Sequence, residues 1–156
     1  VKGLYALRNF AILDEKNEYL VKANSYWFLL NTETGRPMRI MESDTAPYGE
    51  FSPKLEMEDA GRKIQVPKKM GETGRMVVMK HLLDTNLHVN NAQYVDIARE
   101  LLPAGTEISE IRAEYRKAAV LGDEIVIRSA REGKSYLVSL CNPDGDVFAN
   151  IELKEM

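Results

Sequence analysis

The sequence is poor in the residues that build disulfides and metal centres. One cysteine, Cys141, stands among 156 residues, together with two histidines, His81 and His88. A single thiol excludes an intrachain disulfide and fits a reducing compartment. Two histidines with no cysteine–histidine cluster give no recognisable metal site, so neither a metal nor another cofactor is expected. No apolar run approaches the roughly 20 residues that cross a bilayer, and no signal peptide opens the sequence. The cytoplasm is therefore the expected compartment. A run of lysine and arginine is lacking and the net charge is −3, so nucleic acid is not an expected partner. Internal repeats and low-complexity segments are missing too. What is present, 44% hydrophobic and 29% charged residues, suits an ordinary globular chain. Its length allows one sizeable core, or a small domain plus part of another.

The most informative stretch is Leu83 to Asp96, LDTNLHVNNAQYVD. Asp84, Asn86, His88 and Asn90 recur at every second position, which in an extended segment puts all four side chains on one side. Asn90 and Asn91 then stand where a helix N-cap belongs. Tyr94, Val95, Ile97, Ala98, Leu101 and Leu102 follow at helical spacing. A carboxylate, an amide and an imidazole thus converge where a strand ends and a helix begins. The free N–H groups of a helix start favour a developing negative charge. The combination suits acyl chemistry.

Before this stretch, residues 4–13 and 19–31 read as two strands joined by the polar turn DEKNE, a β-hairpin. Along the second strand Tyr19, Val21, Ala23, Ser25, Trp27 and Leu29 share one face, while Tyr26, Phe28 and Leu30 make the other apolar too. The end of this strand expects cover on both sides. Residues 38–41 suggest a further short strand. Residues 42–73, with three prolines and scattered charge, read as a linker across a surface. RMVVMKHLL from Arg75 reads as a short strand delivering the motif. A helix over 90–102 follows, ended by Pro103 and Gly105. Strands over 107–120, 124–132, 134–142 and 147–155 complete the pattern, with tight turns at Gly133 and NPDG. One helix followed by a strand meander that can wrap it is α+β.

LDTNLHVNNAQY resembles the Asp-x-Asn-x-His-Val-Asn-Asn-x-x-Tyr signature of acyl-ACP thioesterases, which carry two hotdog domains in one chain. The resemblance covers nearly all of the sequence, matching about the C-terminal two-thirds of the usual chain. It implies a hotdog fold, a long helix wrapped by an antiparallel sheet. Residues 1–41 would be the C-terminal strands of a first hotdog domain, 42–74 a linker, and 75–156 a second hotdog domain carrying the motif. The sequence opens on Val1, close to strand-like residues, and no helix precedes the hairpin. The expectation is a fragment that lacks most of the first domain. Chain-length preference in this family resides largely in that domain. Oligomeric state stays open, with a homodimer among the alternatives because hotdog helices usually pack in pairs.

The implied activity is hydrolysis of fatty acyl-ACP to free fatty acid and ACP, with the acyl carrier protein as partner. Such chemistry needs an activated water, a stabilised oxyanion and an apolar slot. His88, whose side chain ordinarily titrates near neutrality, is the natural base. Asn86 can orient water or carbonyl, and Asp84 can fix the imidazole tautomer or act as an acid or base itself. The family assigns catalytic roles to these three positions. Asn90, Asn91 and Tyr94 are the expected substrate-binding residues. His81, seven residues upstream on the incoming strand, reads as structural.

One stretch departs from the family. IRAEYRKAAVLGDEI resembles the strand that carries a glutamate, often followed by cysteine, yet here those positions are Ala118 and Ala119. Glu114 has the same strand parity but sits about 13 Å away along a strand. Cys141 reads as a small buried apolar residue. Arg112, Arg116, Lys117, Arg128 and Arg131 read as a solvated sheet face, with a docking patch for the acidic carrier as the sharper alternative. Two other functions stay open, an acyl-CoA thioesterase and a catalytically weak acyl-binding or assembly module, the latter favoured by Ala118.

Overall fold

A computed structural model describes residues 3–50 and 53–156. Val1, on which the expectation of a missing upstream part rests, lies outside the described residues, as do Phe51 and Ser52 of the expected linker. The chain divides into two compact units, one ending at Gly61 and one running from Arg62 to Met156.

The first unit is a hairpin with a short appendage. β1 (Ala6–Leu13) and β2 (Tyr19–Trp27) pair antiparallel. Asp14 closes their turn: its Oδ1 accepts from the amides of Lys16 and Glu18, both at 2.8 Å, while Asn17 sits at φ 62°. The second strand stops earlier than its sequence suggests. Trp27 faces Ala6, the first residue of β1, so beyond it no partner strand remains. Leu29–Leu30 (β3) pair instead with Pro37–Met38 (β4) around a turn held by the Asn31 side chain. A four-residue helix, α1 (Glu42–Thr45), and a 3-10 turn (Ala46–Tyr48) follow inside the stretch expected to be linker. None of the described residues of this unit is buried, and Phe10, Ile12, Leu20, Trp27 and Phe28 are exposed.

The second unit holds the core. β5 (Gly71–Val77), β6 (Ile108–Tyr115), β7 (Glu124–Glu132), β8 (Ser135–Cys141) and β9 (Val147–Glu155) form one antiparallel sheet in the order β5-β7-β8-β9-β6. α2 (Asn91–Arg99) packs on one face, where Tyr94 and Ala98 join Val138, Leu140, Ala149, Ile151 and Leu153 in the buried cluster. This is the hotdog arrangement the sequence implies. The other face is also partly buried, at Val126, Leu137, Ser139, Cys141 and Asn150. Residues 63 and 64 run across its β6 edge. The Lys63 carbonyl accepts from Arg112 Nη2, and the Ile64 amide donates to Glu114 Oε2. The expected linker is therefore anchored to the sheet there, with Ile64 buried.

Element ends differ from the periodicity for local reasons. β5 starts at Gly71, not Arg75, because Gly71 and Glu72 pair with Ser129 and Arg128 although neither is apolar. It ends at Val77, and a 3-10 turn (Lys80–Leu82) replaces the expected strand through Leu83. α2 is shorter than 90–102 because the amides of Leu101 and Leu102 bond three residues back, to Ala98 and Arg99, tightening the last turn. β6 stops at Tyr115 because Arg116 and Lys117 both donate to the Phe148 carbonyl, which ends the ladder.

Burial in one unit and exposure in the other predict different sensitivities. Ile151→Ala is expected to lower unfolding free energy by about 2–5 kcal/mol. Ile12→Ala should cost about 0.5 kcal/mol or less, as surface changes do. Chemical denaturation of the two variants checks the contrast.

Candidate active site

The motif is not extended. Residues 84–88 fold back on themselves, so alternation does not describe their side chains. The Asp84 amide donates to the His88 carbonyl at 2.8 Å, the Leu87 amide donates to the Asp84 carbonyl at 3.1 Å, and Leu87 stands at φ 62°. The physical reason is the Asp84 side chain. Its Oδ1 accepts from the Asn86 amide at 2.8 Å and the His88 amide at 3.3 Å, the local capture that aspartate offers in turns. Leu83 and Val89 flank the loop as a bridged antiparallel pair.

Beyond the loop the chain is fixed on two sides. The Val89 amide donates to the Ala119 carbonyl at 2.9 Å, His88 bridges Val120, and the Asn90 amide donates to the Leu82 carbonyl. Asn90 caps α2 through its Oδ1, which accepts from the Ala92 amide at 2.9 Å. Residues 116–123 come back from β6 to meet the motif. Asp123 Oδ2 accepts from the Val120 amide, and Gly122, at φ 85°, lets the chain reverse into β7.

Asn86 and His88 both line an open depression of about 340 Å³, together with Leu83, Leu87, Val120 and Leu121. Both side chains are exposed. The imidazole has no hydrogen-bond partner among the described residues. Asp84 is not part of this lining. It holds His88 through the backbone, so the expectation that it fixes the imidazole tautomer is not met. Burial pushes its carboxyl up, but the amides of Asn86 and His88, the Asn86 side chain and the charge of His88 outweigh that and hold it below the ordinary 3.8. The result is an uncommitted imidazole and an amide beside apolar side chains, a setting in which water can be deprotonated next to a polarised carbonyl.

The expected substrate-binding residues fall in three different places. Asn90 is the helix cap. Asn91 is exposed, and its carbonyl accepts from the Tyr115 hydroxyl at 3.0 Å. Tyr94 is 2% exposed, its ring lies 6.0 Å from that of Tyr115, and its hydroxyl accepts from the Ala119 amide at 3.0 Å. Tyr94 is not among the residues that line the depression. Burial raises the hydroxyl pKa of both tyrosines. Ala119 is buried and Ala118 exposed. Glu114 is committed to the Ile64 amide and, at 3.4 Å, to Asn150 Nδ2. Cys141 is buried, its Sγ 3.6 Å from the Val126 carbonyl.

Most of the basic side chains on the later strands are neutralised. Arg112 pairs with Glu152 at 2.7 Å, Lys117 with Asp146 at 3.1 Å and Arg131 with Glu155 at 2.8 Å. This favours the solvated-face reading. Among the described residues no group of three or more His, Cys, Asp or Glu side chains is placed to hold a metal ion. The sequence reading did not single out Leu87, Val120 or Leu121, although the Gly122-Asp123 pair marks the turn that brings the last two in.

The depressed Asp84 carboxyl fixes the sign of a pH effect. A folded-state value below the unfolded one gives stability that is complete above about pH 4 and is lost as pH falls through the folded value. The stability gap between the natural protein and Asp84→Ala is therefore expected to be widest near neutrality and to narrow below pH 4. Thermal melts across that range measure it.

The chain is similar to known proteins over most of its length. The family description "Acyl-ACP thioesterase N-terminal domain" matches residues 1–48, and "Acyl-ACP thioesterase C-terminal domain" matches residues 67–153, over half of the chain. Among solved structures, an acyl-ACP thioesterase from Bacteroides thetaiotaomicron is 19% identical with a TM-score of 0.83, covering 100% of this chain and 65% of its own. The 12:0-ACP thioesterase from Umbellularia californica is 22% identical with a TM-score of 0.85, covering 100% and 64%. At such identities the likeness is one of fold. The chain spans just under two thirds of the length of these structures. No curated protein matches it. The match over residues 67–153, on the sheet and helix that carry the motif, shows that the chain belongs to the acyl-ACP thioesterase family.

Proposed function

We propose that the protein hydrolyses the thioester of a fatty acyl-ACP, releasing free fatty acid and the carrier thiol. The observation that carries this reading is the exposure of the His88 imidazole and the Asn86 amide together on an otherwise apolar depression. His88 takes a proton from water as the oxygen attacks the thioester carbonyl. The tetrahedral intermediate collapses with cleavage of the C–S bond, and the imidazolium returns the proton to the departing sulfur. Asn86 holds the water or the carbonyl oxygen through its amide. Asp84 acts at one remove, by keeping the loop closed. Leu83, Leu87, Val120 and Leu121 receive the methylenes next to the carbonyl and keep bulk water thin around it.

A second reading, a module that binds acyl chains with little turnover, is favoured by one observation. Ala118 stands where the family motif carries a glutamate, and Glu114 is bonded elsewhere. The two readings separate in one assay. Turnover of a panel of acyl-ACP and acyl-CoA thioesters is expected, with acyl-ACP preferred. His88→Ala should lower it by about a hundredfold or more, the usual contribution of a general base. Asn86→Ala should lower it by about a hundredfold, as loss of one carbonyl donor does. Full turnover in His88→Ala would exclude His88 as the base, and acyl binding without turnover in the natural protein would favour the second reading.

A further inference from the structure

We propose that Tyr94 is a positioning residue for His88, acting through the backbone of residues 119 and 120. This rests on the reading of His88 as the base. Tyr94 belongs to the buried cluster, locked between α2 and the sheet. Its hydroxyl accepts from the Ala119 amide at 3.0 Å, and the carbonyl of that same residue accepts from the Val89 amide at 2.9 Å. His88, next in the chain to Val89, bridges Val120, next in the chain to Ala119. A hydroxyl anchored in the core is thus two hydrogen bonds from the residue beside the imidazole. The segment it holds is tied at its two ends, by Arg116 and Lys117 to the Phe148 carbonyl and by Gly122 to the Val78 carbonyl, and between them Ala119 is the residue bonded to both α2 and the motif. β6 ends at Tyr115, and of residues 118–121 only Ala119 is buried. Without the hydroxyl, Ala119 keeps a buried N–H with no acceptor, and the strain is relieved by movement of the segment that frames His88. A phenylalanine would fill the same core volume, so packing does not account for the hydroxyl.

Tyr94→Phe tests this, with Tyr115→Phe as control, since the Tyr115 hydroxyl bonds Asn91 and not Ala119. The protein has two histidines, and in proton–carbon spectra the His88 ring signal should move in Tyr94→Phe while that of His81 stays. Exchange of the Val89 and Ala119 amides should quicken about tenfold, as loss of one ordinary hydrogen bond allows. kcat should fall about tenfold or more with KM within about twofold, the mark of a misplaced catalytic group. Tyr115→Phe should leave the His88 signal in place. An unmoved His88 signal with both amides still protected would overturn the proposal, as would a shifted signal with undiminished kcat. If the natural protein lacks turnover, the hydrolase reading and the catalytic half of this proposal fall together. The His88 signal and amide exchange then decide the coupling by themselves.

Discussion

The geometry of the candidate site depends on one carboxylate oxygen. Asp84 Oδ1 gathers the amides of Asn86 and His88 and so closes a loop that includes Leu87 in the left-handed region. For a branched apolar residue that conformation costs about 1–2 kcal/mol. The two bonds to Asp84 and the cross-loop pair Asp84–His88 offset it. Closure returns the chain in the direction that lets Val89 bond Ala119 and Asn90 cap α2. Open the loop and the helix start, the returning segment and the imidazole would lose their common frame.

That frame belongs entirely to the unit with a buried core. The motif is carried between a 3-10 turn and a capped helix, and both are tied to the sheet. Such placement holds side chains more closely than a free loop would. The hairpin unit is the reverse case, with apolar side chains on exposed strands and no buried residue described. Two-stranded pieces of this kind are marginal without further cover.

The sequence was most legible where one level of structure decides the outcome. Asn90 as cap, Gly133 and NPDG as turns, and the strand meander from β7 to β9 follow from local chemistry and alternation, and the structure contains them, whereas β6 pairs with β9 and not with its neighbour in sequence. Asp84, Asn86 and His88 were visible as a set through their motif. Their arrangement was not, because a period-two pattern cannot distinguish a strand from a loop in which an aspartate captures its own downstream amides. The surroundings of Tyr94 were hidden for a related reason. A tyrosine at a helix start has a polar tip and an apolar body, and only the returning segment from β6 shows that its hydroxyl meets the Ala119 amide. The position of β5 was hidden as well, since Gly71 and Glu72 take their places from β7 and not from their own hydrophobicity.

The loop between β7 and β8 is two residues long, Gly133 and Lys134, with Glu132 facing Ser135 across it and Gly133 at φ 58°. Such a loop fixes the parity of everything after it. One inserted residue that slipped the register would exchange Val138 with Ser139 and Leu140 with Cys141 between the two faces of the sheet. It would put a hydroxyl and a thiol under α2. The hairpin between β7 and β8 therefore admits no change of length, because its side chains keep time for the core.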